Sequence, residues 1–422
     1  MRHQILLFSV LVFATESIFA QWECPSQLAA HLNPLGEKNL FWGAELTAGT
    51  GAISNNIFGN GMGIIGLDWS TEKSTFYLEG GVKYWNRYDY DRSRNYSNQH
   101  LGIRELYYQY KARPGNLTLG IQSARSDDGF LLNERILGTN LRLNHNQWSL
   151  NLLGGTVTKD FARNGAFCNV AYLYDIFPLR ERTLIGNGFG QTNLAAFSLK
   201  YQPGKKSSLP EPNNSNDEFS SAEFQDDLSS SGKSGGSGIK LTSAGMIAYH
   251  EFGNWINHKF ITCGLFAQTE WGEGWYFKPE ILYQAAPENH AFIYSIHLEK
   301  MREGEKSRTN FSLRYLGQVN LDPNARVLNS FSNIFAGDII RLDAIDLPFV
   351  HASVKHTLPR KKIHFKTQFT GRVSGKEMFE WDVEAGKKFR EKLQINVMGG
   401  FVRSYLTDGN TLMGRIELRY YL

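Results

Sequence analysis

The sequence predicts an all-β fold: a transmembrane antiparallel β-barrel of about 18 strands, within a range of 16–20. Three observations lead there. Apolar and polar residues alternate with period two along nearly the whole chain. Many of the alternating runs reach about ten residues, longer than the usual five or six. Aromatic residues collect at the ends of the apolar faces, where an interface between membrane and water holds them.

The elements follow in chain order. Residues 1–20 open on a basic "MRH", continue through the apolar "ILLFSVLVFA" and offer Ala20 after "SIFA" as a cleavage site, the layout of a secretory leader. Cys24, in "AQWEC", does not stand directly after a small residue, so a lipid anchor is not expected. Residues 21–39 read as a lead-in and 40–422 as the barrel. In "TFYLEGGVKYW", Phe76, Leu78, Val82 and Tyr84 share one face, and Tyr77, Glu79 and Lys83 the other. "NFSLRYLGQV" sets Phe311, Leu313, Tyr315 and Val319 against Ser312 and Arg314. "KIHFKTQFTGRV" sets Ile363, Phe365 and Phe369 against His364, Lys366, Gln368 and Arg372. "EMFEWDVEAG" sets Phe379, Trp381 and Val383 against Glu380, Asp382 and Glu384. The final "MGRIELRYYL" places Ile416, Leu418, Tyr420 and Leu422 opposite Arg415, Glu417 and Arg419, which predicts a closing strand that pairs with the first and leaves no open edge in lipid.

Short turns are expected at 113–116, 144–147, 358–362 and 389–392, and longer polar connections at 87–99, 123–135 and 321–346. Short turns at one end and long loops at the other are how a membrane barrel is strung. Residues 175–190, "DIFPLRERTLIGNGFG", read either as loop or as a concealed strand, and the strand count turns on them. Residues 203–238 are rich in Ser, Gly and acids, the composition of a disordered loop.

A net charge of +4 gives no grounds for nucleic-acid binding, and no run approaches the ~18 apolar residues of a membrane helix. Cys24, Cys168 and Cys263 are too few for a disulfide scaffold. Cys263 falls on an apolar face, where a thiol packs more often than it reacts.

The polar faces carry Lys and Glu at mid-strand, which suits a wet lumen. Lys83, Arg314, Lys355, Lys366, Arg372, Arg415 and Arg419 are opposed there by Glu79, Glu105, Glu280, Glu299, Glu380, Asp382, Glu384 and Glu417, a mixture without strong anion selectivity. Glu105 shares its face with Tyr107, Gln109 and Lys111; a carboxylate buried there needs a partner, which Arg135 or Lys83 supplies from neighbouring strands. Such pairs either satisfy one another in a crowded interior or line a constriction whose field sorts solutes.

The block "LGIRELYYQYKARPGNLTLGIQSARSDDGFLLNERILGTNLRL", residues 101–143, resembles the strand–turn–strand–loop–strand unit of alginate-export-like outer-membrane porins. The resemblance implies pore-lining roles for Glu105 in "RELYY", Gln122 in "GIQ", Asp127 and Asp128 in "SDDG", and Arg135 in "NERILG". The chain departs from that pattern at Ile121, where the family shows Arg. The pore-lining candidates are thus Lys83, Glu105, Gln122, Asp127, Asp128, Arg135, Arg314, Lys366, Arg372 and Asp382.

Two other chemistries leave partial signatures in the sequence. His351 and Ser353 are spaced like the His-x-Ser pair of outer-membrane phospholipases, but Val354 and Lys355 replace the Asn-Gly that follows there, and Ser295 and His297 stand in reversed order. Asp89, Asp91, Ser93 and Asn95 begin like a calcium loop, but Arg94 replaces its Gly and His100 its final Glu. The expectation is therefore a non-enzymatic channel of the outer membrane, without metal or cofactor, passing or exporting hydrophilic solutes. The resemblance points to an oligo- or polysaccharide. A non-conducting barrel accessory to an envelope or secretion complex is the alternative, and a lipid-modifying barrel a remote one. The expected partners are outer-membrane lipid, the solute and the barrel-assembly machinery during insertion, with the chain a monomer.

Overall fold

The computed structural model describes residues 28–35, 39–53, 56–91, 93–125, 133–158, 193–203, 239–252, 260–272, 274–286, 289–304, 306–322, 334–335, 341–342, 348–373, 378–390, 392–404 and 409–422. Eighteen long strands form one closed antiparallel barrel. They are β1 (Leu40–Ile53), β2 (Asn56–Ser70), β3 (Ser74–Asp89), β4 (Arg94–Ala112), β5 (Gly115–Arg125) and β6 (Asn133–His145). Next come β7 (Trp148–Thr158), β8 (Asn193–Tyr201), β9 (Ile239–Phe252), β10 (Phe260–Trp271), β11 (Trp275–Ala286) and β12 (Asn289–Glu303). The last six are β13 (Arg308–Asn320), β14 (Phe349–Leu358), β15 (Ile363–Arg372), β16 (Met378–Phe389), β17 (Leu393–Ser404) and β18 (Gly409–Tyr421).

Each strand pairs with the next, and β18 closes the circle on β1, with Tyr421 opposite Glu45 and Met413 opposite Ile53. Closure satisfies the backbone donors and acceptors that an open edge would leave bare in hydrocarbon. The alternation of the sequence becomes two surfaces. Ile65, Val82, Leu265, Ile281, Trp381, Val383, Val397 and Ile416 are exposed on the outside, an apolar display far too continuous for a water-facing protein. Their neighbours one residue along, such as Ile64, Glu380, Asp382 and Glu417, are buried within.

The two rims differ. One carries the short connections 71–73, 113–114, 146–147, 272–274, 304–307, 359–362 and 390–392, and it also receives the ends of β1 and β18. The other carries all of the remaining connections, the longer 126–132, 159–192, 253–259 and 321–348 together with the shorter 54–55, 90–93, 287–288, 373–377 and 405–408. Residues 203–238 are the exception: they link β8 to β9 on the short-turn rim, among tight turns. Outward Trp69, Phe76, Tyr108, Tyr110, Trp148, Trp271 and Tyr420 ring that rim, as an aromatic girdle does.

The structure corrects one expected loop. Residues 87–99 are not a long connection: β3 and β4 stay paired up to Asp89 opposite Arg94, and a tight turn joins them, with Ser93 at φ 49°. Tyr, Asn and Ser let the polar sequence continue the ladder beyond the apolar band, so polarity there marks strand emerging from the membrane. Among the described residues of the connection around 321–346, Ile334–Phe335 pairs with Arg341–Leu342. Residues 175–190 lie outside the described residues.

The lead-in is built into the barrel. A single turn of 3-10 helix, Leu28–His31, enters the mouth at the short-turn rim, and Asn33–Pro34 pairs with Trp42–Phe41 of β1 where β18 has run out. Leu28 is fully buried. A Cβ on inward-facing Gly43 or Gly66 would stand 3.0 and 2.8 Å from its methyl carbons, so the two glycines give Leu28 its present seat and a larger residue would make it shift. His31 stacks on Tyr421 of β18 at 3.9 Å, and the Asn33 amide donates to the Leu422 carbonyl at 3.1 Å.

Candidate functional site

The candidate site is the inner wall, where two stretches of paired charged side chains stand out, with Lys278 and Glu280 of β11 on the inward row between them. The first spans the seam and the strands beyond it. On β18, the Arg419 Nε meets Glu417 Oε1 at 2.7 Å, and its Nη1 lies 4.0 Å from Glu45 of β1. Thr47 donates to the same Glu45 carboxylate at 3.1 Å. On β3, Glu79 accepts from the Tyr77 hydroxyl at 2.7 Å and from Arg104 of β4 at 2.7 Å. Glu105 meets Arg135 of β6 at 3.1 Å.

Arg104 and Glu105 are adjacent in sequence yet both inward, 4% and 8% exposed. A bulge makes this possible: Glu79 stands opposite Glu105, and Gly80 opposite Ile103, so Arg104 is the extra residue. Beyond it Ile103 and Leu101 return to the outer face. The bulge therefore adds a cation to the lumen without disturbing the lipid-facing row.

The second stretch runs from β12 to β16. The Asn310 amide donates to Glu299 at 2.8 Å, and His297 and Ser312 lie 2.9 Å apart. Arg314 of β13 stands opposite His351 of β14, and Lys355 of β14 opposite Lys366 of β15, so the inward rows of three successive strands each carry a cation. On β16, Glu380, Asp382 and Glu384 form the complementary column, opposite Thr370, Gln368 and Lys366. Gln368 donates to Asp382 at 2.8 Å, and His364 meets Glu384 at 3.0 Å. A cationic band thus lies beside an anionic one. That juxtaposition creates a strong local field and a run of donors and acceptors for a polar solute.

The expected residues are placed as follows. Glu105, Gln122, Arg135, Arg314 and Asp382 are buried inside, while Lys366 and Arg372 are half-buried on inward rows. Gln122 is bound to the wall itself, donating to the carbonyls of Gly138 at 3.2 Å and Thr118 at 3.4 Å. Of the two partners expected for Glu105, Arg135 fills the role. The Lys83 side chain, Asp127 and Asp128 lie outside the described residues, as do Cys24 and Cys168. Cys263 is exposed on the outer face.

His351 and Ser353 both lie on the inward row of β14, and His351 Nδ1 is 2.7 Å from the Thr370 hydroxyl. Among the described residues no group of His, Cys, Asp and Glu is arranged to hold a metal. Glu45 was not among the expected lumenal residues, although its alternate position in "FWGAELTAG" carried the signal. Arg104 had no such signal, because simple alternation puts it in lipid.

No protein-family model matches the chain, and no curated protein matches it. Solved structures do. OccK5 (OpdH) of Pseudomonas aeruginosa is 8% identical, with 91% of this chain and 98% of that one covered, at a TM-score of 0.51. OccAB4 of Acinetobacter baumannii is 10% identical, with 92% and 100% covered, also at 0.51. OccK3 (OpdO) of Pseudomonas aeruginosa is 10% identical, with 91% and 95% covered, at 0.50. These neighbours are outer-membrane porins, and at such low identity the likeness is one of fold.

Proposed function

We propose that the chain is a porin-type channel of the outer membrane, passing hydrophilic solutes passively through its lumen. The observation that carries this is the division of one closed sheet into an apolar outer surface and a charged inner one. The porin fold of the structural neighbours supports it. The pore-lining roles fall to Glu105, Arg135, Arg314, Lys366, Arg372 and Asp382, with Lys83, Asp127 and Asp128 joining them on the sequence alone. Short turns lie on the periplasmic side in such barrels, so residues 203–238 would face the periplasm. The leader at 1–20, assembly by the barrel-insertion machinery and a monomeric state belong to the same reading. Oligo- or polysaccharide as cargo, and export as its direction, rest on the resemblance at residues 101–143.

A second reading is a non-conducting barrel serving an envelope complex. Its support is the pairing of inward charges within the wall: Glu45 and Glu380 are both 0% exposed. Purified protein in a planar bilayer separates the two. Discrete conductance steps are expected of the channel, and a membrane silent at high protein load supports the accessory barrel.

A further inference from the structure

We propose that three adjacent turns of the short-turn rim form a binding surface for the phosphate headgroups of anionic glycerophospholipids. The proposal rests on the membrane-barrel reading above. The turns are those joining β12 to β13, β14 to β15 and β16 to β17, consecutive around the rim. Residues 300–308 carry four cations and two acids, residues 359–362 three cations, and residues 387–392 four cations and one acid. Lys388 among these is turned into the mouth, 3.4 Å from His31; without it the net charges are +2, +3 and +2, still above the +4 of the whole chain. Arg360, Lys361 and Lys362 are all exposed, as are Lys387, Arg390 and Lys392.

Position decides for lipid over a soluble acidic partner. The outward row of β12 runs through Phe292 and Ile296 and ends in Lys300 and Arg302; that of β16 runs through Trp381 and Val383 to Lys387 and Phe389. These cations therefore stand on the same face as the acyl-chain contacts, at the depth where long basic side chains reach out to headgroups. The Lys300 ammonium lies 5.1 Å from the Trp275 ring centre and Lys387 lies 4.9 Å from that of Phe389, which keeps both at the level of the aromatic girdle. Arg308 is paired with Glu303 at 2.7 Å, so part of the first turn's charge is already compensated. The second and third turns carry most of the surface.

Native mass spectrometry of the full barrel tests this, with the protein released from micelles holding equal amounts of phosphatidylglycerol and phosphatidylethanolamine. Wild type is expected to retain phosphatidylglycerol at least about five-fold over phosphatidylethanolamine, given several cations at headgroup depth. R360Q/K361Q/K362Q/K387Q is expected to lose most of that preference. K73Q/R113Q, on the same rim but in turns outside this arc, is expected to keep it. Equal retention of the two lipids by wild type overturns the proposal while leaving the barrel reading intact. So does an undiminished preference in the quadruple variant. Displacement of phosphatidylglycerol by inorganic phosphate at matched concentration would mark a free-anion site instead, and displacement by soluble polyglutamate an acidic protein partner; either overturns the lipid assignment. Retention of neither lipid, with equal gel migration before and after boiling, refutes the membrane reading and this proposal with it.

Discussion

At the scale of single residues, the interior is held by charges that cannot be removed one at a time. Arg104 and Glu79 meet at 2.7 Å, with their side chains 4% and 3% exposed. Removing one partner leaves the other buried without its counter-charge, which costs about 3–5 kcal/mol. Arg104→Ala is therefore expected to lower stability by that order in a denaturant titration of the micelle-bound barrel. Arg308→Ala, at the half-exposed pair with Glu303, is expected to change it by less than about 1 kcal/mol. His31 supplies a pH dependence. Burial, and then the nearby Lys388 ammonium, lower its pKa from 6.5 to about 4. The assembled mouth thus binds fewer protons than the released lead-in, so the stability tied to it is full above pH 6.5 and declines as pH falls toward 4. His31→Phe keeps an aromatic ring to stack on Tyr421 but does not titrate. Proteolysis of the lead-in is expected to accelerate below pH 6 in wild type, and much less in that variant. Here the sequence was legible in part. Alternation put Glu105 on the inner face with Arg135 or Lys83 as its partner, of which Arg135 meets it, but a bulge is a backbone irregularity without a side-chain pattern, so Arg104 stayed hidden.

At the scale of elements, period-two alternation gave the inner and outer rows of the described strands except at the bulge of β4, because a slip of one residue would put charge into hydrocarbon. The sequence also misled above the apolar band, at 87–99, where the strands need no greasy face and read as loop. The same logic assigns a cost to each face. Val383 sits mid-strand on the outer row of β16, so Val383→Arg is expected to destabilise the barrel by about 2–4 kcal/mol in a refolding titration into lipid. Arginine at Thr370, on the inner row of β15, is expected to cost less, since it joins the acidic column of β16. The lead-in was the other illegible element. Its seat is two glycines and a stacked ring from distant parts of the chain, and no local pattern announces that assembly.

At the scale of the molecule, counting alternating runs gives about nineteen, and the even number that closure favours brings this to the 18 observed; the function depends instead on which surface is wet. The barrel carries its charge inside and along one arc of a rim, and its grease outside. Spin labels placed singly from Glu380 to Ala385 of β16 test this most directly, by comparing relaxation by oxygen with relaxation by a water-soluble nickel complex in lipid vesicles. The account predicts a two-residue oscillation, with Trp381, Val383 and Ala385 favouring oxygen and Glu380, Asp382 and Glu384 favouring nickel. Labels at Trp381 and Val383 shielded from both reagents would show a dry core between sheets and contradict it.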